Sequence, residues 1–433
     1  MTAYAPYSAA MRVGQGFNSY TQSICIDNAV VFEAPKYAKP AAAATAEEAA
    51  AAGGPPRQVV DYAAGFVEKL SDVVEATNLS PSASIKSGSI GNSGKGGGGF
   101  IDCDKAFAPL MLRGGGFKEA HLNYLVHTKV LMHPPSQQHQ ETLRFQKLKG
   151  MPNTSEAFNA VFGDCFISGF LEGGEFTALV SLRFWDDGEG SMAGKEGRAL
   201  AKLALSPRSG DEEVTAARKA LTEKAEVSVN VSWAGGGNIK DEGQWDIDSI
   251  LSIAARFPEM VSRCPQRIAA VLTKYTTLRS FLEQMPGIVP LDYDNTVLYS
   301  GDLLDAYMEY KHMVRQLNQM LADPSAYVES TFVSREEAAE LKPIRLLPSE
   351  LDDAKTYCRT QMLRIVKEVD NIAKNPALAM DEEHIPPFMS AELFRAMLPV
   401  TVLFLRRKMK RACEPSAQQL TLTRRYMFLA PKS

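Results

Sequence analysis

Cysteine is scarce and unpatterned in this chain. Its six thiols, Cys25, Cys103, Cys165, Cys264, Cys358 and Cys413, never fall at CxxC spacing. A zinc knuckle and a disulfide framework are therefore both excluded as organising devices, and reduced structural thiols are expected. No apolar run reaches the length of about 18 residues that a membrane-crossing helix needs. The opening segment MTAYAPYSAAMRVGQGF lacks the basic stretch and apolar core of a secretory signal. Cytoplasmic synthesis is expected, with leaderless release or membrane association as routes to a lipid surface. Excess charge of one sign is also missing. The 47 basic and 51 acidic residues leave a net charge of -4 and a pI near 6.0, which argues against a nucleic-acid partner. GxSxG, HExxH, paired-carboxylate and Cys-His motifs do not occur, so the sequence predicts no enzyme, cofactor or metal site.

Two apparent motifs dissolve on inspection. Gly94-Lys95 suggests a phosphate loop, but Ser89 and Gly96 stand where such a loop needs glycine and Ser or Thr. His121, His127, His133 and His139 recur every six residues. In a strand that spacing sets neighbours roughly 20 Å apart, too far to share an ion, and a solvated face is expected for them.

What the chain does have is one long period-2 run. In Phe162–Trp185, residues Phe176, Ala178, Val180, Leu182 and Phe184 fall on one side, and Thr177, Ser181, Arg183 and Trp185 on the other. Gly173-Gly174 interrupts it, as glycine does at a bend, a bulge or a close backbone approach. His121–Met132 reads as a second strand. Lys224–Trp233 is a third, with Ala225, Val227, Val229, Val231 and Trp233 alternating against polar residues and ending in Gly235, Gly236 and Gly237.

Around these strands the pattern turns helical. The apolar spacing of Val60, Ala63, Ala64, Val67, Leu70 and Val74 predicts one amphipathic helix over 59–77. Residues 82–100 are too rich in Gly and Ser for a stable helix, and a short helix is predicted over 140–147. Between the long strand and the third lies an excursion with helical pieces at 194–205 and 211–223. After Trp245 the chain reads as helical through Met285, and from 291 onward at 303–321, 334–341, 350–374, 391–397 and 402–412. The last piece carries Arg406, Arg407, Lys408, Lys410 and Arg411, a candidate contact for an anionic surface. Residues 40–56 form a low-complexity Ala/Gly/Pro insert.

Phe162-Gly163-Asp164-Cys165-Phe166, six residues, then Gly173-Gly174 resembles the signature of the membrane-attack-complex/perforin (MACPF) family, within the MACPF/cholesterol-dependent-cytolysin superfamily. That signature has an aromatic, Gly, Thr or Ser, His, an aromatic, six residues and Gly-Gly. Asp164 and Cys165 replace its Thr-His pair. The early VGQGFNSYT and the GGG…QWDIDSI…FPEMV segment resemble further family parts in the same order. The resemblance covers residues 11–290 and implies an α+β fold. Its parts are a bent, twisted four-stranded antiparallel sheet with flanking helical clusters over 1–290, followed by a mainly helical region over 291–433. It also implies lipid membrane and self-association as partners. The helical clusters unfurl into membrane-spanning β-hairpins, with the glycine pair as hinge.

A hairpin must alternate apolar and polar residues for about 9–11 residues per strand. Ala199, Ala201, Leu203 and Leu205 satisfy this parity, as does the run from Ala225 to Trp233, whereas Lys219 and Glu223 fall on the lipid side. The alternative reading is a non-lytic binding or adhesion protein that keeps the fold.

Overall fold

The computed structural model describes residues 3–32, 58–89, 120–132, 143–151, 153–185, 195–206, 211–239, 244–330 and 342–402. It is α+β, built mainly on antiparallel strands. In chain order the strands are β1 (Ala3–Pro6), β2 (Gly16–Asn18), β3 (Ser23–Ile24), β4 (Val30–Phe32), β5 (Val59–Val67), β6 (Leu122–Leu131), β7 (Leu143–Phe145), β8 (Cys165–Phe184), β9 (Ala225–Ala234), β10 (Gln266–Lys274), β11 (Tyr327–Val328) and β12 (Val400–Thr401). The helices are α1 (Leu70–Ala76), α2 (Pro81–Ser89), α3 (Ser155–Phe162), α4 (Lys195–Ala204), α5 (Glu212–Lys224), α6 (Ile247–Arg263), α7 (Arg279–Gln284), α8 (Val297–Ala322), α9 (Pro348–Lys374) and α10 (Ala391–Met397).

The chain divides into two compact units. The larger comprises residues 1–305 and 366–385, and the smaller 306–365 and 386–433. Within the larger, β8 is the axis of an eight-stranded sheet. Its first half, Cys165–Gly173, pairs with β10, which pairs on with β1. β2 joins at Cys165 and Phe166. Its second half, Gly173–Phe184, lies between β6 and β9, and β5 extends the sheet beyond β6. All these pairings are antiparallel. The strand therefore runs through the glycine pair without a break, and what changes there is its company. β10 ends its pairing at Gly173, and β9 begins at Glu175.

The second half follows from its period-2 pattern. Phe176, Ala178, Val180, Leu182 and Phe184 join Val126 and Val130 of β6 in one apolar face. α4, α5 and α6 cover it with Ala201, Ala204, Leu205, Ala217, Leu221, Ile250, Leu251, Ala254, Phe257 and Val261. α6 is set by a capping box between Asp246 and Ser249, and its apolar residues recur at three- and four-residue steps. A second cluster packs Phe145, Phe158, Phe162, Phe166, Tyr275 and Phe281 around the start of β8. In the smaller unit, Tyr310 and Tyr357 pack on Phe394, and the Tyr310 hydroxyl donates to the Met389 carbonyl.

Several sequence expectations need correction. Residues 59–77 are not one helix. Val59, Val60, Tyr62, Phe66 and Val67 favour an extended chain and pair with β6 along its length, so only 70–76 is helical. Residues 81–89 do form a helix despite their Ser and Gly, because Pro81 starts it and Ile85 is fully buried. The predicted helix near 140–147 gives way to β7, which pairs with β4. The largest miss is β10, read as helix. Ile268, Ala269, Ala270, Val271 and Leu272 form a continuous apolar run because the strand is buried between β1 and β8. Phe162 closes α3 and does not belong to the strand. Finally, His127 is buried and not solvated. The low-complexity insert, Gly94-Lys95, His133, His139, the piece at 334–341 and Arg406, Arg407, Lys408, Lys410 and Arg411 lie outside the described residues.

Candidate functional site

The changeover point of β8 is a backbone-on-backbone contact that only glycine permits. A Cβ on Gly173 would stand 1.9 Å from the Val130 carbonyl oxygen of β6. One on Gly174 would stand 2.3 Å from Val261 Cγ2 and 3.1 Å from Phe257 Cε1, both on α6. Gly235, just past β9, completes the group. Its φ of +78° suits glycine, and a Cβ there would lie 2.5 Å from the Gly173 carbonyl oxygen and 2.9 Å from Gly174 Cα. Gly236 meets Phe257 and Met260 of α6, Gly237 meets Cys264, and the Gly236 N–H donates to the Cys264 carbonyl at 2.8 Å. Two glycine runs about 60 residues apart, each visible separately in the sequence, thus meet under one helix.

The signature residues at the start of β8 serve another contact. A Cβ on Gly163 would lie 2.2 Å from the Phe17 carbonyl oxygen, and one on Gly16 would lie 2.4 Å from that of Phe162. Phe162 and Phe166 are fully buried in the aromatic cluster, where the Tyr275 hydroxyl donates to the Phe162 carbonyl. Asp164 and Cys165, the two departures from the family pattern, have definite partners. Asp164 accepts hydrogen bonds from Ser19 N–H and Ser19 Oγ, each at 2.7 Å, and the Cys165 thiol donates to the Phe17 carbonyl. Burial pushes the Asp164 carboxyl upward, opposed by its bonds to Ser19.

The other face of the β6–β8 pair is polar and buried. His127 and Thr177 bond at 3.0 Å, Ser181 donates to Asn123, and Glu175 sits 3.7 Å from His127 Nε2. Burial lowers the imidazole to about 4 and raises the Glu175 carboxyl, next to Gly174, to about 7. No group of His, Cys, Asp and Glu among the described residues could hold a metal ion.

The excursion between β8 and β9 is the helix pair α4–α5. Ala201 and Leu205 are buried, Ala199 and Leu203 face outward on α4, and Ala225, Val227, Val229 and Val231 lie on the apolar sheet face. Trp233 is half exposed, with its ring 6.0 Å from that of Trp245. A clasp that sequence reading missed holds the pair. Arg218 on α5 donates to the carbonyls of Ala204 at 2.9 Å and Ser206 at 3.1 Å, and pairs with Asp248 in the first turn of α6. No local spacing announces partners 12 to 30 residues away. Arg198 of α4 stacks over Phe66 of β5 and pairs with Glu68.

No protein-family model matches the chain, and no curated protein matches its sequence. Among solved structures, one titled "Stonustoxin structure" aligns over 91% of this chain and 44% of its own, at 10% identity and a TM-score of 0.43. GNIP1Aa from Chromobacterium piscinae aligns over 66% of this chain and 58% of its own, at 12% identity and a TM-score of 0.28. The chain thus spans about half the length of the structures it matches. No helix among the described residues is long and apolar enough to cross a membrane.

Proposed function

We propose that this chain is a MACPF-like, membrane-interacting protein that oligomerises on lipid as a pore-former or an attenuated one. Gly173, Gly174 and Gly235 act as its hinge. The observation that carries the reading is the changeover in β8. A 20-residue strand exchanges one antiparallel partner for another at a glycine pair, under a helix seated on those glycines. The helical excursion joining β8 to β9 suits conversion into a hairpin, since it would only prolong strands already paired. β5 and β9 each pair on one side only among the described residues. Their free edges offer the backbone groups through which a second copy could extend the sheet.

The test is dye leakage from vesicles together with imaging of assemblies on lipid. Rings that appear with leakage support the proposal, and a protein that stays monomeric and leaves vesicles unbound overturns it. A second reading, a non-lytic binding protein on the same fold, is favoured by α5. Its buried Val214, Ala217 and Leu221 follow helical spacing, while Lys219 and Glu223 take the lipid-side parity. A Lys or Arg at mid-bilayer in a barrel costs about 2–4 kcal/mol. Membrane binding without leakage would select this reading.

A further inference from the structure

We propose that a cleft beside the first helical pair is a binding site for an aliphatic polyamine, a ligand class with N–H donors on a methylene chain. The cleft has a volume of about 720 Å³ and lies wholly within the larger unit. Its lining comes from α1 and the turn into α2, from the β2–β3 turn, and from residues within 293–302 together with Met380.

Three independent features define the ligand. The first is an orphaned acceptor. Gln22 lines the cleft, is 5% exposed, and donates its side-chain N–H to the Asn78 carbonyl at 2.9 Å, which leaves Oε1 buried with no hydrogen-bond partner. A buried unpaired acceptor is costly, and a donor from a ligand relieves it. The second is charge. Asp72, Glu75, Asp294 and Asp302 line the cleft against Lys69 alone. Asp294 already holds Lys274, whereas Asp72, Glu75 and Asp302 have no basic partner among the described residues. This field repels phosphate and attracts cations. The third is an apolar wall, where Val297, Leu298 and Met380 are exposed at 53%, 82% and 63%. A methylene chain covers such surface while its charged ends stay wet.

Other ligands fit less well. No group of His, Cys, Asp and Glu in the described residues suits a metal ion. A sugar would want an open aromatic face, yet Tyr20 and Tyr293 are buried and stacked on one another, with centroids 4.9 Å apart. A quaternary ammonium offers no N–H to Gln22. The site also spans α1 and the body, already joined by the Ser71 hydroxyl to Asp305, so occupancy would hold α1 in place.

The assignment is independent of the membrane proposal, because binding is read on the full-length protein in solution. Calorimetric titration at low salt should give saturable spermidine binding, with little for choline. Gln22→Met removes the acceptor and should abolish it. Should that variant fold poorly, the surface double variant Asp72→Asn/Glu75→Gln keeps the test sharp, with affinity expected to fall about tenfold from the loss of two exposed ion pairs. Equal binding of choline and spermidine would overturn the proposal. So would no saturable spermidine binding, or binding that the double variant leaves unchanged.

Discussion

A single introduced cysteine can lock the junction. Gly237 follows β9, Cys264 caps α6 two residues before β10, and β9 and β10 pair with opposite halves of β8. A Cβ built on Gly237 lies 3.8 Å from Cys264 Cβ and 3.8 Å from its sulfur, close to the mean Cβ separation of about 3.8 Å across a disulfide. Cys264 is exposed and free. Gly237→Cys should therefore oxidise to a disulfide with the native Cys264, without a second introduced residue.

The magnitude follows from opposing effects. Closing the loop between 237 and 264 should stabilise the protein by about 3.5 kcal/mol through the unfolded chain. The φ of +69° at Gly237 charges a side-chain-bearing residue about 1–2 kcal/mol. The oxidised variant should then exceed wild type by about 2 kcal/mol, and the reduced variant should fall about 1–2 kcal/mol below it. Denaturant melts with and without reductant measure both. If the junction opens during assembly, the oxidised form should bind vesicles yet release no dye, and reductant should restore leakage. Full leakage from a protein verified as oxidised would refute a hinge at these glycines.

Four further outcomes test neighbouring parts of the argument. Arg218→Ala should cost about 1.5–3 kcal/mol by removing charged hydrogen bonds, and hydrogen exchange should show faster opening confined to α4 and α5. Gly174→Ala sets a methyl group against Val261 and Phe257 of α6, so a loss of about 1–3 kcal/mol is expected in thermal melts. Asp164→Ala strands the Ser19 N–H and should destabilise by about 1–3 kcal/mol, with Asp164→Asn milder. The Glu175 carboxyl, raised to about 7 in the fold from an ordinary 4.5, contributes stability that is full below pH 4.5 and is lost as pH rises through 7. Wild type should therefore lose roughly 3 kcal/mol relative to Glu175→Gln between pH 4.5 and 8, whereas His127, held down to about 4, acts oppositely and weakens the fold as pH falls below 6.5. A pH-independent difference between the two proteins would refute the first of these.

The period-2 runs of β6, β8 and β9 are plain in the sequence because each has one face on the core and one polar. α4, α5 and α6 are plain for the matching reason at helical spacing. β10 is hidden because both its faces are covered, and a short apolar run between helices carries no period that separates strand from helix. β5 is hidden differently: Val60, Ala63, Ala64 and Val67 mimic a helical stripe, and only the pairing with β6 decides the matter. The glycines of the junction are each visible, but their meeting is tertiary. Gly174 and Gly235 are neighbours only because β9 runs antiparallel to the second half of β8 and ends opposite Glu175.

Which helices would leave the sheet can be decided from what each buries. α6 presents Ile247, Ile250, Leu251, Ile253, Phe257 and Val261 to the core. At about 1.5–3 kcal/mol per large apolar side chain, undocking it exposes on the order of 9–18 kcal/mol, an upper estimate because the unfolded reference is partly collapsed. α4 and α5 bury Ala201, Ala204, Leu205, Val214, Ala217 and Leu221, of which only three exceed alanine in size. The same arithmetic gives about 5–9 kcal/mol, plus the Arg218 clasp. The pair between β8 and β9 is thus the more weakly held, and its residues are those that a hairpin would take into lipid. The α6 side chains that meet Gly174 and Gly236 are Val261, Phe257 and Met260, and lifting Phe257 and Val261 off the core would expose about 3–6 kcal/mol of burial. Under the proposed opening, α6 would move first and break the Arg218–Asp248 contact it shares with α5, and α4 and α5 would be released after it.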